Sequence, residues 1–89
     1  MTTITKEEWN LLNLEPALYT LFVAYSPDIA TNRVELFVFT YKNSDNLEAR
    51  HAICLRYIDA MSKTYLGNFS DEATANHVCT ILVMAASDP

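Results

Sequence analysis

Residues 45–67, DNLEARHAICLRYIDAMSKTYLG, make up the longest run in the chain with one continuous apolar period, and the expected fold depends on how they are read. Leu47, His51, Cys54, Ile58, Met61 and Tyr65 recur at alternating steps of three and four, with Leu55, Ala60 and Leu66 beside them. That spacing predicts the apolar face of an amphipathic α-helix. Glu48, Arg56, Asp59 and Lys63 fall on the opposite side, where Arg56 and Asp59, and then Asp59 and Lys63, stand at pairing distance. Ser44 or Asp45 can cap the start, with Glu48 closing a capping box, and Gly67, the single glycine, stands where a left-handed residue would end the helix.

Outward from this stretch, residues 33–42, RVELFVFTYK, and 17–25, ALYTLFVAY, are rich in β-branched and aromatic side chains with no glycine or proline inside. They read as two strands joined by the turn formers of SPDIATN, an antiparallel hairpin. The competing reading of residues 16–25 is a helix with Pro16 in its first turn. Within the second strand Val34, Leu36 and Val38 point one way and Phe37, Phe39 and Tyr41 the other. Pairing about the loop would bring Tyr19 near Phe39 and Leu21 near Phe37, making an aromatic surface bordered by Glu35. Helices covering both faces of the sheet would bury it; left open, it would mark a contact surface.

Before the hairpin, Thr5 and Glu8 form a T-x-x-E capping box, and Ile4 and Trp9 can staple a short helix over about residues 5–14 that Pro16 terminates. After residue 67, Ser70 as cap with Asp71 and Glu72 in the first turn predicts a helix over 71–86. A third strand is the alternative for HVCTILVM. The expected fold class is α+β: a hairpin packed with a short N-terminal helix, a long amphipathic helix and a C-terminal helix. The order is αββαα, with αββαβ as the alternative.

Composition narrows the function. Eighty-nine residues, half of them hydrophobic, suit one ordered domain over 1–89. The formal charge of −5 opposes phosphate backbones and anionic lipid, so neither nucleic acid nor a membrane surface is the expected partner. A polar, acidic start without a basic and then apolar leader, no apolar run of spanning length, and only two cysteines point to a cytoplasmic setting with reduced thiols.

Chemistry-bearing constellations are few. His51 with Cys54 and His77 with Cys79 supply potential soft ligands, but in a helix His77 and Cys79 point apart. Cys54 beside a histidine is the one arrangement open to nucleophilic catalysis, and it lies on the apolar stripe where a thiol is inert. The paired carboxylates Glu7–Glu8 and Asp71–Glu72 are explained by helix starts, and no glycine-rich loop can cradle phosphate. The sequence therefore predicts no enzyme, no cofactor and no metal. It predicts a small, acidic, non-catalytic protein-interaction module acting through Tyr19, Glu35, Phe37, Phe39 and Tyr41 on a protein with a basic surface. Self-association is a further use of that face. By size and acidity alone, an inhibitor of host machinery of phage or mobile-element origin is expected, of the anti-CRISPR kind, occluding a nucleic-acid-binding surface. The alternatives are a small metal-binding or thiol enzyme using His51 and Cys54, and a single-stranded RNA binder stacking bases on sheet aromatics.

Overall fold

The computed structural model describes residues 3–45 and 47–87, so the first two residues of the polar start and Asn46 of the quoted stretch lie outside the described residues. The fold is α+β. Helix α1 (Lys6–Leu11) is followed by a 3-10 turn (Pro16–Leu18) and helix α2 (Tyr19–Ala30). Strands β1 (Val34–Lys42), β2 (Ala49–Tyr57) and β3 (Thr64–Phe69) form an antiparallel sheet in that order, and helix α3 (Glu72–Ser87) ends the chain.

The two terminal helices start where the sequence places them, but α1 ends at Leu11 rather than near residue 14, the chain leaving it through Asn13 at a φ of 58°. Both bonds of the capping box are made at α1, the Glu8 N–H donating to the Thr5 hydroxyl oxygen at 3.2 Å and the Thr5 N–H to the Glu8 carboxylate at 2.9 Å. The Thr5 N–H, and after it the Thr5 hydroxyl, hold the Glu8 carboxyl below its ordinary pKa. At α3 it is Asp71, not Ser70, that accepts the Thr74 N–H, at 3.0 Å, and the Thr74 hydroxyl, at 2.6 Å; both lower its pKa. Strand β1 also forms as read.

The long central helix does not exist. Residues 49–57 and 64–69 are strands, and the turn between them falls at residues 58–63. A strand in the middle of a sheet is buried on both faces and reads as an unbroken apolar run, which a 3.6-residue period fits as readily as a 2-residue one. Here that run is His51–Leu55, buried throughout. Its helix formers are overridden by pairing: β1 matches β2 residue for residue, from Val34 opposite Tyr57 to Lys42 opposite Ala49. Gly67 ends no helix. It lies in β3, where a Cβ would come within 2.8 Å of the Leu14 side chain, so its function is close approach of the chain after α1.

Residues 17–25 are not a strand either, so the expected hairpin with 33–42 does not form. The helical alternative holds, with Pro16 opening the 3-10 turn and Phe22, Ser26 and Ile29 forming the buried stripe of α2. SPDIATN is mostly the last part of that helix. The Thr31 hydroxyl donates to the Pro27 carbonyl at 3.1 Å, and Asn32 turns the chain with a φ of 63°.

All three helices contribute to one core on one side of the sheet. Trp9, Phe22, Ile29, Val78 and Leu82 meet Val34, Ile53, Leu55 and Leu66, with Leu36 and Val38 packed against them. The expectation of helices on both faces fails, because even the Trp9 helix joins this side. Among the described residues, no helix is long and apolar enough to cross a membrane.

One position carries strain without compensation. Leu47, in the β1–β2 connection, has a φ of 60° and is 71% exposed, so a branched side chain occupies the left-handed region and gains little burial there. Leu47→Asn is expected to raise stability by about 0.5 kcal/mol, since asparagine tolerates this conformation and little packing is lost. Urea denaturation of the two proteins measures it.

Candidate binding face

With the helices on one side, the other side of the sheet is left to its own side chains. Strand alternation sends Glu35, Phe37, Phe39 and Tyr41 of β1 to this face, opposite Arg56, Cys54, Ala52 and Arg50 of β2 in that order. From β3 come Tyr65, opposite Cys54, and Asn68, opposite Ala52. Ala52 and Cys54 are fully buried yet take no part in the helix-side core. They are a floor of small residues roofed by rings.

The rings form a connected group. Phe39 and Tyr41 stack with centroids 5.9 Å apart and planes 21° apart, and Tyr65 leans against both, at 6.3 and 6.4 Å. Phe37, Phe39 and Tyr41 are half-buried and Tyr65 is 42% exposed, so the surface is partly accessible. Two cations lie over it. The Arg56 guanidinium stands 4.6 Å from the Phe37 centroid, and the Lys63 ammonium stands 4.4 Å from that of Phe39 and 5.8 Å from that of Tyr65. Each such contact contributes about 0.5–1 kcal/mol at an exposed site.

Polar contacts fix the margins. The Arg56 Nε and Nη2 both donate to Glu35 Oε1, at 3.0 and 2.5 Å. Arg50 Nε donates to Asn68 Oδ1 at 3.0 Å, and the Asn68 amide donates in turn to the Tyr41 hydroxyl. Three of the six basic residues, Arg50, Arg56 and Lys63, thus gather on the face that carries the carboxylate of Glu35. Between β1 and β3 these three cations outnumber the Glu35 carboxylate, in a chain of formal charge −5.

Of the residues expected on the contact surface, Glu35, Phe37, Phe39 and Tyr41 are together here. Tyr19 is not. It begins α2 on the far side, where its hydroxyl donates to the Ile4 carbonyl at 2.8 Å and its ring meets Trp9 edge-on at 5.8 Å. Tyr65, Arg50, Arg56 and Lys63 fall within the expected helix and Asn68 in the link after it, so the sequence reading does not place them here. Two-residue alternation of charged and small side chains along Arg50, Ala52, Cys54 and Arg56 is the signal that could have found the β2 contribution.

The thiol and metal alternatives do not assemble. His51 and Cys54 lie on opposite faces of β2: His51 faces the helices, with Nδ1 2.9 Å from the Thr40 hydroxyl, while Cys54 lies under the rings. Burial pushes the Cys54 thiol above its usual pKa, outweighing the nearby Lys63 and Arg56 charges, so it is a poor nucleophile. Cys79 is likewise raised by burial. Among the described residues, no group of three or more metal-ligating side chains forms.

A second apolar surface is a groove of about 810 Å³ between α1 and α3, lined by Ile4, Leu11, Leu12, Ile81 and Met84. Among the described residues its one charged group is Glu8, which is engaged in the capping box and offers little to orient a ligand. The sheet face, with rings, cations and hydroxyls together, is the better-equipped site. Comparison with known proteins gives no significant match: no family fits the chain, and no curated protein or solved structure is similar to it. What fold and face define is an α+β chain with a one-sided antiparallel sheet whose uncovered face carries aromatic side chains and cations.

Proposed function

We propose that this chain is a non-catalytic binding module that holds another protein against the uncovered face of its sheet. Phe37, Phe39, Tyr41 and Tyr65 are the anchors, and Arg50, Arg56 and Lys63 orient the partner. The observation that carries the reading is the placement of four half-exposed to exposed rings on a strand floor that, among the described residues, no helix covers. Tyrosine, phenylalanine and arginine are the residues that interface cores concentrate, and rings held by neighbours lose little entropy on binding.

Local charge favours an acidic partner segment over the basic surface that net charge suggests. Size and net acidity, the grounds for expecting an inhibitor of host machinery, are not features of this face and add nothing to the choice. Replacing Phe39 and Tyr41 together with alanine is expected to weaken binding by about 2–3 kcal/mol while the sheet persists. The test is affinity capture from the native host with both proteins, their folding checked by circular dichroism. A protein retained equally by a folded double variant would reject the reading.

The same gathering of cations among rings favours a second reading, single-stranded nucleic acid stacked on the face. It requires affinity for short oligonucleotides at low salt that falls steeply as salt rises. Titration with oligouridylate separates the two.

A further inference from the structure

The sheet has two edges, and the chain treats them differently. β3 is short, its register shifts at Ile53/Cys54, and its outer side accepts the Glu15 N–H at the Leu66 carbonyl, at 2.8 Å. Leu14 lies against Gly67 on the same side. This edge is blunted in the ways that natural sheets use to prevent further pairing.

β1 has none of these devices. It runs nine residues, without proline, glycine or a register shift, and has a strand on one side only. Among the described residues, no backbone group of another element bonds to its outer side. Which groups point outward follows from the ladder. The Arg33 carbonyl accepts from Ile58 and the Asn43 N–H donates to Glu48, so odd-numbered residues of this strand face β2. By alternation, the N–H and C=O of Val34, Leu36, Val38, Thr40 and Lys42 face outward.

We infer that this edge pairs antiparallel with β1 of a second copy of the chain, in a register centred on Val38. The inference goes beyond the binding-face reading and does not depend on it. The occupant is set by self-complementarity about the strand's midpoint. Only this register engages every outward residue: Val38 meets Val38, Leu36 meets Thr40, and Val34 meets Lys42, with about ten hydrogen bonds across the junction. On the uncovered face Phe37 then lies across from Phe39 of the other copy, and Glu35 across from Tyr41. The Phe37–Phe39 pair, made twice by the two-fold axis, is an aromatic pair that stabilises a sheet, and no like charges are opposed. The two-fold contact closes on itself, and the blunted β3 edges stop it growing, so the product is one continuous sheet of two chains. Its aromatic faces run on from one copy to the other.

Sedimentation across micromolar to submillimolar concentration is expected to show the mass doubling. Amide hydrogen exchange of the unaltered protein supplies the register: Leu36, Val38 and Thr40 should become protected as concentration rises, while Phe37 and Phe39, already bonded within the chain, change little. Thr40→Pro removes an outward N–H without touching the β1–β2 ladder, and should weaken association by about tenfold or more with the monomer still folded. If that variant fails to fold, the exchange pattern of the unaltered protein decides alone. A single-chain mass at every concentration overturns the inference. So does a dimer in which the three outward amides stay exposed, because the copies would then be joined through the aromatic face or the α1–α3 groove.

Discussion

Trp9→Ala is expected to cost about 4 kcal/mol, a large part of the roughly 5–15 kcal/mol that holds a fold of this size. Trp9 belongs to a six-residue helix, too short to persist alone, yet it is fully buried. Its ring lies 5.2 Å from Phe22 and 5.8 Å from Tyr19, so it fills the junction between α1 and α2. Its indole N–H donates to the Glu15 carbonyl at 2.8 Å, and the Glu15 N–H donates in turn to Leu66 on β3. One side chain therefore ties the first helix, the start of the second and the protected sheet edge together. Alanine leaves a cavity and removes one of the two donors to the Glu15 carbonyl, which keeps only the Leu18 N–H at 3.0 Å. Trp9→Phe keeps much of the buried area and loses the hydrogen bond, and should cost about 1–2 kcal/mol. Urea unfolding of the three proteins gives the order; equal midpoints for the unaltered protein and Trp9→Ala would contradict this account of the core.

How much of this was legible in the sequence depends on whether the signal was local. The starts of α1 and α3 were readable because capping is decided within four residues, by Thr5 with Glu8 and, one residue after the expected Ser70, by Asp71 with Thr74. β1 was readable because its rings and branched side chains alternate over nine residues. The two errors share a cause. Residues 17–25 and 49–57 are apolar enough to be strand or helix, and which they become is settled by whichever segment pairs with β1. That competition takes place between segments far apart in sequence. Once 49–57 wins it, Pro16 and the Phe22–Ile29 stripe make 17–30 helical, and Tyr19 leaves the aromatic face for the core side. The candidate site divides along the same line. Its β1 rings follow from a two-residue period, whereas Arg50, Arg56, Lys63 and Tyr65 reach it only through strand pairing.

Reversing two of those cations makes the sharpest test of what the face binds. Arg56→Glu with Lys63→Glu turns a cluster in which cations outnumber the Glu35 carboxylate into one with an excess of negative charge, while net charge moves only further in the direction it already has. The fold should survive. The changes remove cation–ring contacts at Phe37 and Phe39 and a partly exposed ion pair with Glu35, together about 2 kcal/mol or less. If an acidic partner lies on the face, two attractions become repulsions and affinity should fall a thousandfold or more, about 4 kcal/mol. The unaltered protein should bind more weakly as salt rises, and the variant's residual binding should strengthen under the same change. A basic partner, the one net charge alone predicts, would instead bind the variant more tightly. The two expectations have opposite signs, so one titration of the captured partner against both proteins decides whether the local charge of the sheet or the total charge of the chain governs recognition.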